Sequence, residues 1–240
     1  MRIAVLSDIH GNLPALEAVL DALQPFDALW QLGDIVGYGP QPDEVVARLA
    51  AENALGVRGN HDSAAIGLLE TNAFNDDARR AVEWTAEQIG SDARAWLESL
   101  PLTSVNEPFT LVHGSPRDPT WEYVFTTGIA RSNLRSFKTR HCLVGHTHMP
   151  VIFRQRGTGM EGIEPTPGEP FAFDDQRLIV NPGSVGQPRD GDPRAGAMLL
   201  DTDARTMEWR RVAYPIERVQ KLMTDAGLPP RLIARLKYGL

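Results

Sequence analysis

Cysteine occurs once in these 240 residues, at Cys142. One thiol closes no intramolecular disulfide and builds no thiolate zinc cluster, which fits a reducing compartment and turns attention to nitrogen and oxygen ligands. Cations are also in short supply: 24 Lys and Arg against 31 Asp and Glu leave a formal charge of −7. Proteins that hold polynucleotides or anionic membranes carry a surplus of positive charge, so a broad nucleic-acid-binding face is excluded. No apolar run approaches the ~20 residues of a membrane span, and Met1-Arg-Ile-Ala-Val-Leu-Ser-Asp8 meets an acid too early for a signal peptide's apolar core. The expectation is a soluble cytoplasmic protein with no membrane partner. Repeats and low-complexity tracts are absent, while 42% hydrophobic residues suffice for a sizeable core. Histidine is scarce, six in all, and its placement carries most of the information.

Arg2 to Asp8 is an apolar run ending in small and acidic residues, as in a buried strand whose carboxyl end faces a crevice. Asn12 caps a predicted helix in which Leu13, Leu16, Val19, Leu20 and Leu23 recur at helical spacing. A second strand over Asp27–Asp34, a helix to about Asn53 and a third strand over Ala54–Arg58 follow. This alternation implies right-handed crossovers and a largely parallel sheet, with a site at the carboxyl ends of its strands. Residues 63 to 100 read as a helical insert, with Asn75 and Ser91 as caps and Trp84 and Trp96 as anchors. The remainder reads as strands at 109–113, 141–145, 151–153, 177–181, 197–201 and 207–212. Gly157 to Pro170 reads as an exposed loop, and 216 to 240 as two helices split near Gly227. The whole chain, 1–240, is expected to form a single domain.

Five of the six histidines lie at or just past the end of a strand-like run: His10, His61, His113, His146 and His148. His141 instead begins a strand, which favours a structural role, and Cys142 beside it reads as core. Residues two apart in a strand share a face, so persistent extended geometry would aim Asp8 with His10, and His146 with His148, into one crevice. Imidazole and carboxylate together suit Mn, Fe, Zn or Ni. Taken singly, each piece has an ordinary reading. Gly33-Asp34 makes a turn, Asn60-His61-Asp62 a polar helix cap, and His113 a core histidine. Their joint occurrence, each after a strand, points to a metal site.

The series Asp8-x-His10, Gly33-Asp34, Gly59-Asn60-His61-Asp62, His113 and Gly145-His146-x-His148 resembles the calcineurin-like metallophosphoesterases. Asp8-Ile-His-Gly-Asn-Leu-Pro-Ala-Leu16, Val112-His-Gly-Ser-Pro-Arg-Asp118 and Asn181-Pro-Gly-Ser-Val-Gly-Gln-Pro-Arg189 further resemble its small prokaryotic phosphodiesterase branch. The resemblance implies an α/β fold, a four-layer αββα sandwich of two mixed sheets flanked by helices. It implies that Asp8, His10 and His148 hold one divalent ion, that Asn60, His113 and His146 hold another, and that Asp34 bridges the two. Manganese stands first, with Fe, Zn, Ni and Mg as alternatives. The implied reaction is in-line attack of a metal-bridging hydroxide on a small or nucleotide-like phosphodiester, with His61 as general acid and Asp62 orienting its ring.

Arg58, Arg117 and Arg189 adjoin these motifs and are candidates for bidentate phosphate contacts, with surface ion pairing as the alternative. Asn12 is either a phosphate contact or only a helix cap. The helical insert and the 157–170 loop either roof the site or merely pack. Phosphomonoester or phosphoprotein hydrolysis and dinucleoside polyphosphate cleavage share the same motif residues and remain open. A non-catalytic interaction scaffold on the same fold is the alternative from another class, disfavoured because the full ligand set is retained. A metallo-β-lactamase-like hydrolase needs His-x-His-x-Asp-His, and Met149-Pro150 follow His148 instead.

Overall fold

The computed structural model describes residues 1–240. The amino-terminal half runs β1 (Arg2–Leu6), α1 (Leu13–Leu23), β2 (Ala28–Gln31), α2 (Pro42–Ala51), β3 (Leu55–Gly56), α3 (Asn60–Ala65), α4 (Asp76–Gln88) and α5 (Ser91–Ser99). Then come β4 (Thr103–Asn106), β5 (Phe109–Val112), α6 (Thr127–Asn133), β6 (His141–Leu143), β7 (Val151–Arg156), β8 (Gly159–Ile163), β9 (Phe171–Ala172) and β10 (Leu178–Asn181). The chain closes with β11 (Ala195–Asp201), β12 (Thr206–Val212), α7 (Ile216–Asp225) and α8 (Pro230–Arg235). Two of the three expected caps are made. Asn12 Oδ1 accepts from the Ala15 N–H at 3.2 Å and Asn75 Oδ1 from the Ala78 N–H at 3.0 Å. The third falls to Gly90, so Ser91 is the first residue of α5 rather than its cap.

Two six-stranded mixed sheets result, ordered β3-β2-β1-β11-β12-β9 and β4-β5-β6-β10-β7-β8. Strand alternation sorts the side chains into layers. Ile3 and Val5 of β1 face the second sheet, with Met198, Leu200 and Trp209 beside them and Phe109, Leu111, Leu143 and Val180 opposite. Ala4 and Leu6 face outward onto a larger core built with α1, α2, α4, α5, α7 and α8. Val112, Cys142 and Ile179 pack under α6 on the far side of the second sheet. Helix, sheet, sheet, helix is the expected four-layer order. Residues 63–100 are helical, and Ala81, Val82 and Leu97 from that stretch belong to the main core.

The 157–170 stretch differs from expectation. Gly159–Ile163 is strand β8, a hairpin with β7 in which Phe153 pairs Gly162 and Arg156 pairs Gly159. Its glycines and glutamate are poor strand formers, and the antiparallel partner supplies the ladder that local sequence does not announce. Edge strand β4, paired to β5, was likewise not among the expected strands. Strands β1, β2 and β3 run parallel, as do β5, β6 and β10, so the loops after all six emerge at one end of the sandwich.

Candidate metal centre

Those loops carry every candidate ligand, but not in the extended geometry that the x-spaced pairs suggested. Asp8, His10, Asp34, His146 and His148 have φ of 52°, 50°, 51°, 66° and 60°, all in the left-handed region. Such residues cost of order 1–3 kcal/mol each unless their surroundings over-determine them. Here the surroundings do. The N–H of Asp8 donates to Gly33 O at 3.1 Å, the N–H of His10 to Asp34 O at 2.9 Å, and Ser184 Oγ to Asp8 O at 2.8 Å. Asp8 and His10 thus share a crevice through two left-handed turns.

Backbone carbonyls fix three imidazole tautomers. His10 Nδ1 donates to Val36 O at 3.2 Å, His148 Nδ1 to Gln187 O at 2.6 Å and His113 Nδ1 to Leu32 O at 2.8 Å. Each Nε2 is thereby left a lone pair, the form in which histidine binds a metal. His10 Nε2 and His148 Nε2 then face each other at 3.2 Å, two acceptors with nothing to exchange unless a cation lies against both. Asp8 Oδ1 is 3.2 Å from His148 Nε2. The second group forms around His113 Nε2, with His146 Nδ1 at 3.0 Å, Asn60 Oδ1 at 3.1 Å and Asp34 Oδ2 at 3.3 Å. Asp34 Oδ2 also lies 3.7 Å from His10 Nε2, so one carboxylate oxygen belongs to both groups. All seven side chains are buried. The donor set suits a divalent ion of the Mn, Fe, Zn or Ni kind.

The electrostatics agree with ligation at three of the four histidines. Burial holds His10, His146 and His148 well below the usual imidazole range, hence neutral. Burial also pushes the Asp8 carboxyl up to about 7. It works against charge on His113 as well, but the Asp34 carboxylate outweighs it and raises that ring to about 9. A proton on Nε2 would there satisfy the same three acceptors that a metal cation satisfies.

Gly59 explains its place before Asn60 by close approach: a Cβ there would lie 2.1 Å from Asp34 Oδ1. The next peptide is used directly, since the N–H of His61 donates to that same Asp34 Oδ1 at 2.9 Å. The His61 ring lies at the edge of the His10 ring, centroids 4.9 Å apart, and burial lowers it to about 4. Asp62 makes no hydrogen bond to that ring, whose Nδ1 has no partner. Its Oδ1 accepts from Ile35 N and Val36 N and its Oδ2 from Gly59 N, so it ties loops together rather than holding the His61 ring by the hydrogen bond expected of it.

The three arginines part company. Arg58 is occupied by Ser63 Oγ and by the carbonyls of Leu97 and Glu98 at the end of α5. Arg117 pairs with Glu122 in an exposed position, where side-chain bonds to Ser115 and Asn133 complete the cluster. Arg189 alone faces the centre. It reaches Tyr38 Oη at 3.3 Å, and its charge bears on His10, His61, His146 and His148. Asn12 is spent on its cap and on Gly186 O. Sequence reading missed Tyr38, whose ring centroid lies 4.5 Å from those of both His10 and His61, and Tyr123, stacked on His146 at 3.8 Å. A tyrosine between two turn glycines gives no sign of facing histidines from two other loops.

Two packed mixed sheets whose carboxyl-end loops gather buried imidazoles around a shared aspartate define a metal-binding αββα protein. The chain belongs to the calcineurin-like phosphoesterase superfamily, whose domain model matches residues 1–205. It is accordingly a phosphoester hydrolase. A metallophosphoesterase of known crystal structure from Sphaerobacter thermophilus is 44% identical, with TM-score 0.92 over 100% of this chain and 99% of its own. Phosphodiesterase YfcE of Escherichia coli is 31% identical over 83% of this chain and 87% of its own length. An uncharacterised protein of Methanocaldococcus jannaschii is 34% identical over 99% and 98%. No helix is long and apolar enough to cross a membrane.

Proposed function

We propose that this chain is a phosphodiesterase that holds two divalent ions, manganese foremost, and hydrolyses a small or nucleotide-like phosphate ester. The observation that carries this reading is the position of Asp34 Oδ2, 3.3 Å from His113 Nε2 and 3.7 Å from His10 Nε2. Asp8, His10, Asp34 and His148 hold one ion; Asp34, Asn60, His113 and His146 hold the other. When bound, the ions supply Lewis acidity toward phosphate oxygens and make water acidic enough to serve as a nucleophile near neutral pH. The neutral Asn60 amide limits the anionic ligands to two aspartates, so the loaded site stays cationic toward an anionic ester. A diester preference is supported by the relationship to YfcE, which is named a phosphodiesterase.

His61 protonates the leaving alkoxide. Burial holds its ring down to about 4 and Asp34 pulls it upward, so the additional negative charge of a bound phosphate favours the imidazolium at the moment it is needed. Its peptide N–H meanwhile fixes Asp34 independently of the ring. The single cysteine accords with a cytoplasmic location.

The test combines metal analysis of the purified protein with turnover of bis-nitrophenyl phosphate, nitrophenyl phosphate, cyclic nucleotides and dinucleoside polyphosphates under Mn, Ni, Mg and Zn. Two ions per chain and faster hydrolysis of the bis ester than the mono ester are expected. No hydrolysis of any of them with any metal overturns the reading in favour of a scaffold.

A further inference from the structure

Nδ1 of His61 is buried and has no hydrogen-bond partner, and Asp62 beside it is spent on three peptide N–H groups. The orientation of the ring is therefore set by what packs against it. Tyr38 lies 4.5 Å away, centroid to centroid, and Phe74 meets the ring edge to face at 4.9 Å. The third wall is Gly37, at φ 118°: a Cβ there would stand 2.6 Å from Nδ1 and 3.0 Å from Cβ and Cγ of the histidine. Only glycine lets the backbone run this close along the ring.

Two of these walls depend on residues 63–100. Phe74 precedes Asn75, the cap of α4, a position whose apolar residue commonly packs on the fourth residue of the helix. That residue is Arg79, which pairs with Asp76 at the surface. Phe74 is instead buried against His61 and against Trp121, the latter 5.1 Å away in a second edge-to-face contact. Thr85, fully buried on the same helix, directs its hydroxyl at Gly37 O at 3.0 Å and shares the proton with Ala81 O at 2.9 Å. Helix α4 thus fixes the peptide that lies against Nδ1.

We propose that the 63–100 insert holds the general acid in register, with Phe74 acting directly on the His61 ring and Thr85 acting through Gly37 as positioning residues. This rests on reading His61 as the acid, and it gives the insert a part in catalysis beyond its share of the core. A donor ring free to turn is within reach of the leaving oxygen for only part of the time, so its confinement contributes to the rate.

The test uses the metal-loaded protein and methyl aryl phosphates whose phenols range from nitrophenol to unsubstituted phenol. Phe74→Leu and Thr85→Val are expected to lower kcat about tenfold on the phenyl ester and under about twofold on the nitrophenyl ester, because protonation matters most for the poorer leaving group. KM and metal content should be unchanged, and circular dichroism should show both variants folded. Thr85→Ser, which keeps the hydroxyl, should restore the parent's pattern. Equal losses on every ester, or none, in either variant removes that residue from the assignment. His61→Gln separates the two readings: if it too lacks leaving-group dependence, the acid role itself falls, and if it alone shows that dependence, only the positioning falls. Should the parent turn over none of these esters, the rate at which diethyl pyrocarbonate modifies His61, read by mass spectrometry, decides. Faster modification in Phe74→Leu and Thr85→Val than in the parent upholds the confinement of the ring, and equal rates overturn it.

Discussion

Asp62 Oδ1 accepts the peptide N–H of Ile35 at 2.8 Å, tying the start of α3 to the loop that presents Asp34. With the bonds to Val36 and Gly59 it satisfies three buried donors. Asp62→Ala leaves them unpaired at ~1–3 kcal/mol each. A fall of several kcal/mol in denaturant stability with reduced metal content is expected, and Asp62→Asn should be milder. Unchanged stability with a loss confined to kcat would restore a role for Asp62 in orienting His61.

His10 and His148 aim two lone pairs at one point, so the folded chain should depend on a cation there. Chelation is expected to lower Tm by about 10 °C, the equivalent of binding at roughly a thousand times Kd in a protein of this size. Thermal scans with and without EDTA measure this. Readdition of Mn should reverse it.

Gly59→Ala pushes a methyl group onto Asp34 Oδ1. The variant is expected to bind less than half the parent's metal by atomic emission, while the chain as a whole keeps its native circular dichroism. Full metal occupancy would show that the two strand-end loops separate more easily than their hydrogen bonds indicate.

In His61→Gln the peptide N–H that holds Asp34 survives. Metal content should be unchanged and kcat reduced by roughly 10²–10⁴ for alkyl leaving groups, with little loss for nitrophenolate. Equal losses across leaving groups would remove the acid role.

His141 supplies a pH test away from the centre. Its ring lies between Phe109 and Phe173, with centroids 5.2 Å from each, and burial lowers it to about 4. The unfolded residue titrates near ~6.5, so between those values the unfolded chain binds the extra proton. Stability should therefore be full above pH 6.5 and fall toward pH 4, by ~1.4 kcal/mol per pH unit for this group. Denaturation of the parent minus His141→Leu isolates the effect, and a difference independent of pH would refute it.

Ligand chemistry was legible because Asp, Asn and His after strand ends are residue types chosen by function. Strand-like runs at 2–8, 27–34 and 177–181 announced the sheets in the same way. The geometry was not legible. Extended strands and left-handed turns both bring Asp8 and His10 to one crevice, and only long-range bonds from Gly33 and Ser184 decide between them. Adjacency to a motif left phosphate contact and ion pairing open for Arg58 and Arg117, because the carbonyls of α5 and the Glu122 carboxylate that bond them are not marked by that motif.

The five left-handed ligand residues limit how this centre can change. Asp, Asn and His are both metal-binding types and the non-glycine residues that best tolerate positive φ, so coordination and backbone sterics draw on one short list. A glutamate at Asp8 or Asp34 keeps the carboxylate but fits the turn less well, and a β-branched residue at any of the five is excluded by the backbone before ligation is considered. Drift at these positions is thus blocked twice over, and variation in what the protein acts on is left to residues that the turns do not constrain.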